Sequence, residues 1–201
     1  MDGPLAQLQR LSCVRDDREL FAELDLRLDA GELVELRGPN GSGKSTLLRI
    51  LAGLFPDYAG ELTTAQALYC GHKPGLAGAL TPVENLAWYL RLDGGDLPRR
   101  EYRHKIETVL AEVGLAGYED VPCVALSAGQ LRRVMLGRLR LARRSLWLLD
   151  EPLTALDDAG CALLRATLAA QLDQGGGVIC ATHQALDIDR ARVLSLARVR
   201  Q

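Results

Sequence analysis

Residues 38–46, Gly-Pro-Asn-Gly-Ser-Gly-Lys-Ser-Thr, restrict the folds open to this chain more than any other segment. The apolar run 32–37 before them predicts a strand, and residues 44–52 after them predict a helix. Glycines let successive backbone N–H groups face inward, and the positive end of the helix adds to this anion-binding nest. An ordinary glycine-rich turn would explain the glycines alone, but strand, loop and helix signals together favour a phosphate-binding loop.

The residue types in this loop suit a polyphosphate. Lys44 is a compact point charge that we expect to bridge the β- and γ-phosphates, and the Ser45 hydroxyl is expected to hold a magnesium ion. The residues predicted to bind the nucleotide are Gly38, Pro39, Asn40, Gly41, Ser42, Gly43, Lys44, Ser45 and Thr46.

Length and composition indicate one domain, or one domain with a small inserted lobe. Hydrophobic residues make up 48% of the 201 residues, which is enough for a sizeable core. No apolar run reaches the length of about 18 residues that a membrane span needs. Asp2 and Pro4 do not resemble the start of a signal peptide. We therefore expect a protein of the cytosolic side.

Charge and cysteine content argue against two further classes. The net charge is −2, and neither half carries a basic stripe, so we expect no nucleic-acid partner. The five cysteines are odd in number and far apart, which favours reduced core thiols over a disulfide framework or a zinc site. Arginines spread over one predicted helix suggest a solvated or ion-paired face: Arg132, Arg133, Arg138, Arg140, Arg143 and Arg144.

The other segments alternate between strand and helix signals. Five apolar residues alternate with polar ones before the loop and predict a half-buried antiparallel strand: Leu20, Ala22, Leu24, Leu26 and Leu28. Further strands are predicted up to residue 71 and over residues 192–199. From the capping-box pair Thr81 and Glu84 to about residue 144 the pattern is helical, with breaks at 94–95 and 114–122. This segment is the candidate inserted lobe.

Residues 146–151, Leu-Trp-Leu-Leu-Asp-Glu, predict a buried strand that ends in two carboxylates. Such a strand places its acids at the carboxyl edge of the sheet, where open α/β folds bind ligands. We expect Asp150 to hold magnesium through water and Glu151 to polarise the attacking water as general base. A further strand, 178–182, places His183 at the same edge, within reach of the γ-phosphate. The alternative is that the two acids merely begin the following turn.

Residues 126–130, Leu-Ser-Ala-Gly-Gln, have two explanations. Ser127 and Gln130 have capping-box spacing, so a helix start alone accounts for them. Together with the phosphate loop, the run 146–152, the turn 154–157 and Ala181-Thr182-His183, however, this segment resembles the nucleotide-binding subunit of an ABC transporter. The motifs follow the family order and cover nearly the whole chain.

This resemblance implies a fold, an activity and site residues. The fold is then α/β, an ABC ATPase core of the P-loop NTPase type with an N-terminal antiparallel β subdomain and an inserted α-helical subdomain. The core would be residues 1–80 and 145–201, and the helical subdomain about 81–144. Mg²⁺ with ATP is the implied cofactor, and two copies would hold two ATP molecules between them. The residues implied to contact the ATP of the other copy are Ser127, Gly129, Gln130 and Asp157.

Two positions depart from the ABC pattern. Arg15 falls near the register where the family often stacks an aromatic residue on adenine, and a guanidinium plane can also stack on a base. Lys73 stands where a glutamine normally reaches the magnesium and the coupling surface. An ammonium cannot ligate a cation, so Lys73 should not sit on the metal. It either turns outward to the coupling groove or reaches the γ-phosphate, and we expect the outward position because Lys44 and magnesium already neutralise much of the phosphate charge.

Within the ABC family, residues 71–76, 80–86, 114–122 and 182–184 resemble the ATPase subunit of the bacterial cytochrome c maturation exporter, called the haem exporter. The resemblance implies integral membrane subunits as partners and a peripheral position on the cytoplasmic face of the inner membrane. ATP hydrolysis would drive release of haem from a periplasmic chaperone. Docking is expected at residues 75–88, although Trp88 is alternatively a core residue of the lobe.

One other function stays open at this point, and two more are disfavoured. Another short bacterial exporter would use the same motifs. A soluble ABC protein of translation or DNA repair would need two cassettes or a long coiled-coil insert. A regulatory module that binds ATP without hydrolysis would not need the residues Lys44, Asp150, Glu151 and His183.

Overall fold

The structure is a computed structural model that describes residues 3–94 and 98–197. Asp2, Gly95 and Val199, which contributed to the predictions above, lie outside the described residues. The described residues form eight strands and five α-helices. Among these residues there are two compact units, one within the ranges Met1–His72, Arg144–Pro152 and Leu168–Gln201, and the other within Lys73–Arg143 and Leu153–Thr167.

The first unit contains two sheets. Its strands are β1 (Ala6–Arg15), β2 (Arg18–Leu28), β3 (Leu33–Arg37), β4 (Ala59–Thr64), β5 (Ala67–Cys70), β6 (Leu146–Asp150), β7 (Gly177–Ala181) and β8 (Ala191–Ser195). Strands β2, β1 and β4 form an antiparallel sheet in that order. The other five form a parallel sheet in the order β5-β6-β7-β3-β8. The last strand ends at Ser195, earlier than the sequence predicts.

The parallel sheet is buried because its central strands consist mainly of apolar residues. Every residue of β6 and β7 is buried, as expected for parallel strands that are covered on both faces. Helix α1 (Lys44–Leu51) packs its apolar side chains into the same hydrophobic core as the two sheets. The strands predicted before the phosphate loop, before the two carboxylates and before His183 are therefore confirmed.

The prediction of which β2 side chains are buried is wrong at one position. Ala22 is exposed, and Phe21 is buried instead. The cause is a one-residue shift in the pairing with β1 at Glu23, which has a left-handed φ of 46° and donates its N–H to Ser12 Oγ at 2.8 Å. An extra residue in one strand moves the following side chains to the opposite face of the sheet.

The second unit is helical. Its complete helices are α2 (Pro82–Leu92), α3 (Arg99–Glu112) and α4 (Ala128–Leu141), and a 3-10 turn, Cys123–Ala125, precedes α4. Helix α5 (Asp158–Asp173) begins in this unit and ends in the first. The helices predicted between residues 81 and 144 are thus present, whereas the bounds of a helical subdomain stay a prediction.

Both predicted capping boxes are present in this unit. Thr81 Oγ1 accepts from the N–H of Glu84, and Ser127 Oγ accepts from the N–H of Gln130, each at 3.2 Å. The side chains of Glu84 and Gln130 accept in return from the N–H of Thr81 and Ser127 at 2.9 Å. Each box satisfies two backbone donors that the first turn of a helix leaves free, so the starts of α2 and α4 are well defined.

Side-chain exposure corrects two expectations for the second unit. Arg132 is only 4% exposed and belongs to the interior, not to a solvated arginine face. Trp88 is 55% exposed, so the alternative that it is a core residue is wrong, whereas Leu86 is buried. Within residues 3–94 and 98–197, no helix combines the length and apolar composition needed to cross a membrane.

Candidate nucleotide site

The loop between β3 and α1 has the backbone of an anion nest. Gly38, Gly41 and Gly43 all have positive φ, and Gly43 is the left-handed cap of α1. A Cβ at Gly38 would lie 2.4 Å from the backbone oxygen of Leu196 and 2.8 Å from Ser42 Oγ. Glycine is required at this position because any side chain would collide with Ser42 in the loop and with the backbone of Leu196.

Two polar side chains in the loop are buried. Lys44 lies along the loop, and its Nζ donates to the backbone oxygens of Gly38 at 2.7 Å and Pro39 at 3.1 Å. Ser42 Oγ is buried and has no hydrogen-bond partner among the described residues. A buried cation and a buried hydroxyl beside a helix N-terminus form an environment suited to phosphate oxygens.

The strand order brings the predicted carboxylates and histidine to the edge that carries this loop. In the parallel sheet, β7 lies between β6 and β3, and Ala181 at its end pairs with Asp150 on one side and with Leu36 on the other. The three strands therefore end level with one another. The residues that follow them, Glu151, His183 and the phosphate loop, share the carboxyl edge where ligands bind in such sheets.

Glu151 is held in a strained conformation at this edge. Its φ is 51°, and its N–H donates to the backbone oxygen of Ala181 at 2.8 Å, so the ladder extends one residue beyond β6. Glu151 Oε1 is buried without a hydrogen bond from the described residues, and the half-exposed His183 places Nε2 3.4 Å from it. Left-handed backbone in a non-glycine residue is costly and clusters at functional sites.

A buried carboxylate that the sequence did not predict lies in the strand before the phosphate loop. Glu35 in β3 is 2% exposed, forms an ion pair with Arg37 and accepts from the buried N–H of Leu186 at 2.8 Å. It therefore ties β3 to the segment that follows His183. Burial, reinforced by nearby carboxylates, raises the pKa of its strand neighbour Cys180 well above the usual value. One signal was available, since a lone acid interrupts an otherwise apolar strand.

The residues predicted to contact a second copy lie in the second unit. Ser127 and Gln130 form the capping box of α4, and a Cβ at Gly129 would lie 3.2 Å from the backbone oxygen of Ala155. Asp157 accepts from the N–H of Gly160 at 2.9 Å, as an N-cap residue does. That hydrogen bond, together with a nearby arginine, lowers the pKa of Asp157.

The two departures from the ABC pattern are both near the surface. Arg15 is the last residue of β1, and its side chain is half exposed. Its Nε lies 3.4 Å from Oδ2 of Asp16 in the hairpin turn. Lys73 is exposed. Their contacts with a nucleotide stay predictions.

A phosphate loop between a buried parallel strand and a helix, with acids at the ends of neighbouring strands, defines a P-loop nucleotide-binding protein. Residues 21–154 match the sequence profile of the family described as ABC transporter. The chain belongs to the ABC transporter family and contains its ATP-binding domain, for which family membership implies ATP hydrolysis.

Two relatives with similar sequences carry the same name. The cytochrome c biogenesis ATP-binding export protein CcmA of Pseudomonas syringae pv. tomato is 47% identical, covering 91% of this chain and 90% of the relative. The protein of the same name from Saccharophagus degradans is 39% identical, covering 96% of this chain and 93% of the relative.

Solved structures agree on the fold. A structure described as the ATP binding subunit of an ABC transporter has a TM-score of 0.83 and 25% identity, covering 94% of this chain and 85% of that chain. An ABC transporter ATP-binding protein from Pyrococcus furiosus has a TM-score of 0.79 and 21% identity, covering 94% of this chain and 96% of that chain. The predicted ABC ATPase fold, with an antiparallel sheet, a parallel sheet and helices, is confirmed.

Proposed function

We propose that this chain is the ATP-hydrolysing subunit of an ABC export complex for cytochrome c biogenesis. ATP hydrolysis would be coupled to haem export, or to release of haem from its periplasmic chaperone. The observation that carries the proposal is the set of relatives at 39–47% identity, each aligned over about nine tenths of both chains and each named a cytochrome c biogenesis export protein.

Magnesium fits the oxygen donors at the sheet edge. Ser45 at the start of α1 and Asp150 at the end of β6 would hold the ion. Within the described residues, no group of three or more His, Cys, Asp or Glu side chains lies close enough to bind a metal by itself. Phosphate oxygens and water would supply the other ligands, which is how Mg²⁺ usually binds nucleotides in proteins. When bound, the ion neutralises negative charge on the phosphates.

Glu151 is the general base of the proposed reaction, and His183 is the second catalytic residue. The buried Oε1 of Glu151 is an acceptor in need of a donor, which an attacking water would provide. His183 Nε2, 3.4 Å away, would orient this water and contact the γ-phosphate. General-base catalysis typically contributes about 10²–10⁴-fold to a rate.

Replacing Glu151 by Gln tests this assignment. The amide cannot accept the proton, so we expect ATP binding to persist while turnover falls by about 10²-fold or more. Glu61→Gln, at an exposed glutamate of β4, is the matched control and should retain the parent rate. Steady-state ATPase of Glu151→Gln within a few-fold of the parent would exclude Glu151 as the base.

We further propose that two copies form each ATP site. Lys44 and the other phosphate-loop residues of one copy, with Arg15 near the adenine, would bind a nucleotide that Ser127, Gly129, Gln130 and Asp157 of the other copy complete. Ser127 Oγ accepts the capping-box hydrogen bond from the N–H of Gln130 at 3.2 Å, yet the residue is exposed. It therefore remains accessible to a partner. ATP should therefore convert purified Glu151→Gln protein from monomer to dimer, as measured by light scattering. A mass that stays at one chain would reject this arrangement.

The segment before α2 is proposed to dock on the membrane subunits, which would hold the protein on the cytoplasmic face of the inner membrane. Asn85 is buried and holds this segment, accepting from the N–H of Ala77 at 2.9 Å and donating to the backbone oxygen of Ala77 at 3.1 Å. The N–H of Val124 donates to the backbone oxygen of Gly78 at 2.8 Å. Leu80 and Val124 are nevertheless exposed, and they supply an apolar surface on a loop that is held by these hydrogen bonds.

Charge in this loop should prevent docking. Leu76→Asp or Ala79→Asp should abolish co-purification with membranes while nucleotide binding persists. The matched control is Ala111→Asp, at an exposed alanine of α3. If the loop variants still sediment with membranes and the control behaves alike, the docking surface lies elsewhere.

A further inference from the structure

Arg133 joins three segments of the second unit that are distant in sequence. Its Nη1 donates to the backbone oxygen of Val113 at 2.9 Å, just beyond α3. Its Nη2 donates to both carboxylate oxygens of Asp157, at 2.8 and 3.0 Å. Gly114 makes room for this guanidinium, since a Cβ there would lie 2.8 Å from Nη1. Arg133 itself lies on α4, so one side chain connects α3, α4 and the turn before α5.

The same turn, residues 154–157, has two further ties to α4. The buried Arg132 donates through Nε to the backbone oxygen of Thr154 at 3.1 Å. The backbone oxygen of Ala155 lies 3.2 Å from where a Cβ of Gly129 would be, so only a glycine allows this approach without displacement. Ala155 has a left-handed φ of 65°, which an unsupported turn would tend to relax. The contacts with α4 therefore keep the turn in a conformation that its sequence does not favour.

We propose that Arg133 is a positioning residue that fixes the turn 154–157 against the helix that begins at Ser127. This inference rests on the proposed two-copy ATP site. Ser127, Gly129 and Asp157 then meet the nucleotide of the other copy as one preformed surface. Arg133 does not touch the nucleotide, and it acts through Asp157.

The geometry makes a catalytic effect larger than a stability effect. The Arg133–Asp157 pair is partly exposed, and such pairs contribute little to folding. A displacement of about 1 Å in a catalytic surface, in contrast, can lower a rate by about 10²-fold. Loss of the pair should thus lower kcat without unfolding the protein.

Substitution of Arg133 in the complete export complex measures this effect. Arg133→Gln removes the charge, and we expect kcat for ATP to fall by about 10-fold or more, while KM, set mainly by the phosphate loop of the same copy, changes by less than about 3-fold. Arg133→Lys keeps the charge and should recover part of the rate. Arg140→Gln is the matched control, because Arg140 lies on the same helix and pairs with Glu112 at 2.6 Å.

Coupling with Asp157 tests the proposed route. Asp157→Asn should lower kcat at least as much as Arg133→Gln, because Asp157 is also proposed to meet the nucleotide. The double variant should be no slower than Asp157→Asn alone, since Arg133 acts only through the contact that Asp157→Asn already changes. A kcat within 2-fold of the parent for Arg133→Gln, or losses that multiply in the double variant, would overturn the proposal.

Complexes with two differently tagged copies separate a role in the partner's site from a general defect. When one copy carries Lys44→Ala and the other carries Arg133→Gln, one site should remain intact and hydrolyse ATP in a single turnover. When one copy carries both changes and the other carries neither, both sites are impaired and the rate should be at least about 5-fold lower. The reverse order of rates would overturn the inference.

Ser127→Ala in place of Arg133→Gln distinguishes the proposed role of Arg133 from the proposed two-copy ATP site. If this variant complements Lys44→Ala and Arg133→Gln does not, the inference about Arg133 is overturned while the two-copy site stands. If Ser127→Ala also fails to complement Lys44→Ala, the two-copy site is refuted and the role of Arg133 falls with it.

Discussion

Glu35 offers a quantitative test of how the sheet supports the site. Its carboxylate is buried, accepts from the N–H of Leu186 at 2.8 Å and pairs with the partly exposed Arg37. Removing a hydrogen bond from a buried N–H costs about 1–3 kcal/mol. The lost ion pair adds about 0–1 kcal/mol, and a lost buried methylene adds about 0.8 kcal/mol. Glu35→Ala should therefore lower the free energy of unfolding by about 2–5 kcal/mol.

Glu35→Gln separates the hydrogen bond from the charge. The amide oxygen can still accept from Leu186, so the loss should be at most about 1 kcal/mol. Urea unfolding measures the free energy of unfolding of both variants, provided that its dependence on urea concentration, the m-value, is the same as in the parent. Glu107→Ala is the matched control, because its pair with Arg103 is exposed and contributes about 0.5 kcal/mol or less. A loss below about 0.5 kcal/mol for Glu35→Ala, or equal losses for Ala and Gln, would refute the reasoning.

Three shorter predictions concern other residues. Lys73→Ala should leave the ATPase of the isolated subunit nearly unchanged and lower it in the membrane complex, whereas a large loss in the isolated subunit would place Lys73 at the γ-phosphate. Gly38→Ala should destabilise the protein by about 1–3 kcal/mol, because the new Cβ would collide with Leu196, and an unchanged thermal midpoint would contradict this. Cys161 should react first with a thiol reagent, whereas Cys180, buried and with a raised pKa, should react only on unfolding; early labelling of Cys180 would be inconsistent with that burial.

The phosphate loop and the sheet edge with its two carboxylates could be predicted from sequence because their signals are local. The apolar run that ends in Asp150 and Glu151 specifies a buried parallel strand, and the capping boxes at Thr81 and Ser127 specify where two helices begin. Each of these signals depends on neighbours within a few residues, so no knowledge of the tertiary structure is needed to read it.

The features that sequence reasoning missed depend on partners far along the chain. The buried carboxylate of Glu35 accepts a hydrogen bond from Leu186, which lies 151 positions away. The guanidinium of Arg133 donates to Asp157, which lies 24 positions away. The shifted face of β2 depends on its pairing with β1 and the unusual backbone of Glu23. Periodicity in one strand or helix carries no information about such pairings.

The most direct test of the proposed function is a deletion strain complemented with variants of this chain. Deletion should abolish c-type cytochromes, detected by haem staining, and spare b-type cytochromes. The parent chain and Glu61→Gln should restore the c-type cytochromes, and Glu151→Gln should not, because the export step needs ATP hydrolysis. Full c-type cytochrome content in the deletion strain, or restoration by Glu151→Gln, would contradict the proposal and favour the ATPase subunit of another short exporter or a module that does not hydrolyse ATP.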